Sequence, residues 1–88
     1  MENTMHDETK NDEALRLVAQ FAGDMGLINV SRGIAAAGQL FAVALRDLRA
    51  AGLVELFEAR EPYTGRNQVY FQGERLTDAA RERARTLA

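Results

Sequence analysis

Residues 30–56 read VSRGIAAAGQLFAVALRDLRAAGLVEL, and the order of elements in this stretch decides the fold. Phe41, Leu45 and Leu48 recur at the spacing of one helix face, so a helix is predicted over residues 39–51 with that face buried. Ser31 is placed to cap a shorter helix over residues 32–37. Gly38 is read as the turn between the two. One longer helix carrying Gly38, at a cost of about 1 kcal/mol relative to alanine, is an alternative. Counting back from Phe41 gives another, a turn nearer Gly33 to Ala36. Gly52 stands just past the long helix, where a left-handed backbone is tolerated. Leu53-Val54-Glu55-Leu56-Phe57 is apolar and partly alternating, which predicts a strand over residues 53–59.

Upstream, Leu15, Val18, Ala22 and Met25 form a stripe, widened by Ala14, Leu17 and Phe21. A first helix is therefore predicted over residues 12–25, capped by Asn11 or Asp12, with Gly23 and Gly26 marking its end. Residues 27–30 are apolar and β-branched and are expected to add a short strand. Residues 1–11 are polar and without periodicity, and are expected to form a disordered acidic tail before a domain spanning residues 12–88. Downstream, the segment REPYTGRN holds the only proline and a turn glycine. Gln68 to Gln72 follows as a strand with Val69 and Phe71 on one face and Tyr70 on the other. Thr77 then caps a final helix over residues 78–87, whose apolar side is Leu76, Ala80, Ala84 and Leu87.

With 88 residues, 47% of them apolar, the chain can bury one small core. It holds no cysteine, which removes disulfides and thiolate metal sites. No signal peptide or membrane span is read, so a cytoplasmic protein without membrane contact is expected. The net charge of -2 hides an asymmetry. Residues 1–13 set Glu2, Asp7, Glu8, Asp12 and Glu13 against Lys10 alone, whereas ten arginines face eight acids in residues 14–88. A mildly basic body behind an acidic tail is compatible with a nucleic-acid partner. Catalysis finds no support. There is no phosphate-cradling glycine loop, the only histidine is His6 in the tail, and Glu55, Glu58 and Glu61 are spread along a strand and turn. No catalytic residue, metal ligand or cofactor is expected.

The element order describes a mainly helical α+β domain: a three-helix core, a β-hairpin and a C-terminal helix. That is the layout of a winged helix-turn-helix. Residues 45–80, LRDLRAAGLVELFEAREPYTGRNQVYFQGERLTDAA, resemble the second half of PadR- and MarR-type transcriptional regulators. The resemblance is carried by Leu45 and Leu48, Gly52-Leu53-Val54, Tyr70-Phe71 and Leu76-Thr77-Asp78. Ala80 stands where that pattern has glycine. The resemblance implies a regulator that binds duplex DNA as a homodimer, with the long helix in the major groove and the hairpin wing on the backbone. A dimer would use the first helix, the last helix or a wing edge.

On a helical wheel the outward face of the long helix is Gln39, Val43, Arg46 and Ala50, flanked by Ala42, Asp47 and Arg49. Gln39 suits adenine, Arg46 suits guanine or phosphate, and Ala42 or Val43 suits a thymine methyl. Arg32 and Arg66 are candidate phosphate contacts, with Thr64 and Asn67 adding neutral hydrogen bonds, and Arg49 is a further candidate DNA contact at the flank of the helix face. The small apolar centre of this face, with Asp47 beside it, equally suits a protein partner. The competing expectation is thus an adaptor module that does not bind DNA.

Overall fold

The computed structural model describes residues 4–61 and 68–87. The chain is α+β and mainly helical. Helix α1 (Thr4–Ala19) leads through a short 3-10 turn (Asp24–Gly26) to α2 (Val30–Ala37) and α3 (Gln39–Ala50). An antiparallel hairpin of β1 (Val54–Glu61) and β2 (Gln68–Leu76) follows, then α4 (Asp78–Leu87). No helix among the described residues is long and apolar enough to cross a membrane.

Helix α1 differs from its predicted span at both ends. It begins at Thr4, so residues 4–11 are helical rather than part of an irregular tail. The polar sequence hid this because that end carries no apolar stripe. Ion pairs hold the next turn, Lys10 to Asp47 at 3.8 Å and Asp12 to Arg83 at 2.7 Å. At the other end α1 stops at Ala19, and not near Met25. The amides of Gln20, Phe21 and Ala22 donate to carbonyls three residues back, which tightens the last turn. The chain then makes a tight reversal. Gly23 donates to Leu27 at 2.7 Å and Asn29 to Phe21 at 2.7 Å, with Met25 and Gly26 both at positive φ. Met25 therefore sits on a turn, 55% exposed, and not on the buried stripe.

The return limb of this reversal supplies the expected pairing over Leu27 and Ile28 alone, since Val30 of the expected strand opens helix α2. Leu27 bridges Arg75 of β2, and the Ile28 amide donates to the Glu74 carbonyl at 3.0 Å, giving the sheet three antiparallel strands. Helix α2 begins at Val30, ahead of the predicted residue 32. Its cap is Asn29, whose side-chain oxygen accepts the Arg32 amide at 3.1 Å, and not Ser31. Gly38 separates α2 from α3 with φ +55°, a conformation that suits glycine, so the predicted break stands. Gly33 is instead buried inside α2, against Phe41.

Helix α3 ends in a Schellman arrangement. The Leu53 amide donates to the Leu48 carbonyl and the Gly52 amide to the Arg49 carbonyl, with Gly52 at φ +75°. The hairpin strands are longer than predicted. Gly73 and Glu74, read as an exit from the strand, are paired with Phe57 and Leu56. Gly73 is tolerated there because the Phe71 ring lies over it, 6.0 Å from the Phe57 ring. Val69 and Phe71 are exposed, so the predicted half-buried face of this strand does not reach the core. A bulge falls between Ala59 and Arg60.

The core is built by Leu15 and Val18 of α1, Phe41, Leu45 and Leu48 of α3, Leu76 of β2 and Ala80 of α4. Phe21 meets Phe41 edge to face, with ring centroids 5.6 Å apart. Thr77 caps α4 as predicted, its hydroxyl accepting the Ala80 amide at 3.1 Å. Every residue predicted for the inner face of α3 is buried, with Ala44 added.

Candidate nucleic-acid interface

Burial of Phe41, Ala44, Leu45 and Leu48 fixes the rotation of α3 and so decides which side chains remain outside. Gln39, Arg46 and Ala50 are exposed, and Ala42 and Val43 are half-buried. Val43 is not at the centre of an open face. It lines a groove between α3 and α1, with Leu17, Lys10 and Leu40. Leu40, which the wheel did not single out, is 72% exposed at the start of α3.

Asp47 lies on the same side as that groove. It is half-buried and faces Lys10 of α1 at 3.8 Å. Its charge is thus partly balanced from α1, a contact that the sequence could not reveal while residues 4–11 read as irregular. Asp47 is also the sole acid in residues 30–50, out of 13 in the chain. The helix pair α2–α3 is therefore poor in groups that repel phosphate.

The arginines divide into two sets. Arg60 pairs with Glu58, Arg75 with Glu55 and Asp78, Arg81 with Asp78, Arg83 with Asp12 and Arg85 with Glu82. Arg49 belongs with them. Its Nε and a terminal nitrogen donate to the two carboxylate oxygens of Glu74, each at 2.7 Å. These hydrogen bonds pull the Glu74 carboxyl below its ordinary range against the opposing effect of desolvation, and raise Arg49 above its own. Arg49, expected to contact DNA, is already engaged within the chain. This pairing could not be read from the sequence, because its partner lies 25 positions away on another element.

Arg32, Arg46 and Arg16 make no ion pair with a described residue. Two of these lie in the acid-poor helix pair, Arg32 in the first turn of α2 and Arg46 midway along α3. Both are exposed. Thr64, Arg66 and Asn67 lie outside the described residues. Of the predicted positions, then, Gln39, Arg46 and Arg32 are open to a ligand, Ala42 and Val43 partly so, and Arg49 is held by Glu74. Comparison with known family models, curated proteins and solved structures gives no match.

Proposed function

We propose that this chain is a winged helix-turn-helix protein that binds duplex DNA as a homodimer, with α3 in the major groove and the hairpin beside it. The element order supports the fold reading: three helices, a short strand before α2, a hairpin after α3 and a closing helix. The observation that carries the DNA reading is electrostatic. The α2–α3 pair leaves Arg32 and Arg46 unpaired among the described residues, in a region whose only acid faces Lys10. Arg46 grips guanine or phosphate, Gln39 reads a base, and Arg32 holds the backbone.

The test is fluorescence anisotropy of the full chain with random duplex DNA across a salt series. Affinity falls steeply with salt in the wild type, and Arg46→Ala weakens it. Gln39→Ala changes the preferred sequence in a selection from a randomised pool. Absence of binding at low salt refutes the reading.

A second reading is an adaptor that docks a protein on the start of α3. Leu40 favours it, since a leucine 72% exposed beside Val43 and Leu17 offers apolar surface to a partner.

A further inference from the structure

Arg49 stands three residues after Arg46, so the two side chains are neighbours along the surface of α3. The Arg49 side chain is 51% exposed, and it belongs to the edge of the face proposed to meet DNA. Free, it would add a third cation to Arg32 and Arg46. It is not free, because Glu74 accepts from two of its nitrogens in a fork-to-fork pair.

Glu74 is held in place. Its residue pairs across the hairpin with Leu56, and its carbonyl accepts the Ile28 amide at 3.0 Å. Its position is thus fixed by strands on both sides. Its side chain is half-buried, unlike the open carboxylates of Asp78 and Glu82. A neutral pair exerts no net pull on a phosphate. Phosphate contacts strengthen binding to every sequence alike, whereas base contacts discriminate.

We propose that Glu74 is a specificity-determining residue of the DNA interface, acting by keeping Arg49 off the phosphate backbone. This rests on the DNA-binding reading above. Discrimination is then left to Gln39 and Arg46, and one sequence-blind contact is suppressed.

The full chain is compared with Glu74→Gln on a random duplex and on a duplex selected by the wild type. Glu74→Gln tightens random-duplex binding severalfold at low salt and steepens the salt slope by about 0.9, one further phosphate contact. The ratio of selected to random affinity falls. Adding Arg49→Ala to Glu74→Gln abolishes the gain. Glu82→Gln makes the same charge change on α4 and leaves the affinity at the wild-type value. Glu74→Asp, which keeps the charge but shortens its reach, gives a smaller gain of the same sign, and circular dichroism checks that each variant folds. Wild-type binding with no gain in either Glu74 variant overturns the role of Glu74 alone, as does an equal gain in Glu82→Gln. Failure of the wild type to bind random duplex at low salt removes the DNA reading and this role together.

Discussion

The ring of Phe41 occupies the space beside Gly33 in which any β-carbon would have to sit. Helix α2 thus lies closely on α3 through a glycine, and the aromatic ring seals the contact. Gly33→Ala opposes two effects. Alanine improves helix propensity by about 1 kcal/mol. Overlap with a fully buried ring costs about 1–3 kcal/mol. A net loss of stability is expected, read as a lower urea midpoint with an unchanged slope. A higher midpoint would mean that the Phe41 ring has room to move aside.

The inner face of α3 was legible because Phe41, Leu45 and Leu48 repeat at helical spacing, and burial follows from that repeat directly. Gly38 and Gly52 were legible for a similar reason, since each occupies a conformation that glycine adopts most easily. The beginning of α1 was not, because a helix that projects past the core needs no apolar stripe. Nor was the end of α1, where Phe21 and Ala22 continue the apolar pattern although the chain has turned back on itself. The outward positions of α3 could be named from the wheel, but their state could not. Whether Arg46 or Arg49 is free depends on Glu74, and whether Asp47 repels depends on Lys10, both set by tertiary packing.

Met25, unlike Gly33, is a place where stability can be gained. It adopts φ +64° on an exposed turn, directly before Gly26 at φ +79°. A side chain with a β-carbon is disfavoured in this region by about 1–2 kcal/mol, and asparagine tolerates it better than most. Met25 is 55% exposed, so its removal sacrifices little packing. Met25→Asn is expected to raise the thermal midpoint, with a gain of up to about 1 kcal/mol. A fall in the midpoint would show that Met25 makes a contact that outweighs the turn strain.

Stability should fall on acidification through three carboxylates. Hydrogen bonds from Arg83, Arg49 and Arg81 hold Asp12, Glu74 and Asp78 below their ordinary values. The unfolded chain therefore binds protons first as the pH drops. The stabilisation is fully present above the ordinary carboxylate range of about 3.9–4.3, and is lost as the pH falls through the lower folded values. Denaturation midpoints are expected to be level near neutrality and to drop below about pH 4. Arg49→Ala removes the cause at Glu74, so its midpoint should lie closer to the wild type at low pH than at neutral pH. A constant gap between the two across that range would rule out the contribution of Glu74.

Leu48 and Leu56 separate the buried leucines from the exposed ones. Leu48 is fully buried in the core, whereas Leu56 is 71% exposed on β1. Leu48→Ala removes packed methyl groups and leaves a cavity, so a loss of about 2–5 kcal/mol is expected. Leu56→Ala exchanges one solvated side chain for another, and its effect should stay within about 0.5 kcal/mol. The comparison also bears on self-association. Were Leu56→Ala to cost as much as Leu48→Ala, Leu56 would have to be covered in solution by another chain. That cover would make the thermal midpoint rise with protein concentration in the wild type and not in Leu56→Ala. Midpoints independent of concentration in both, with only Leu48→Ala destabilised, would leave the hairpin face open and place any dimer contact elsewhere.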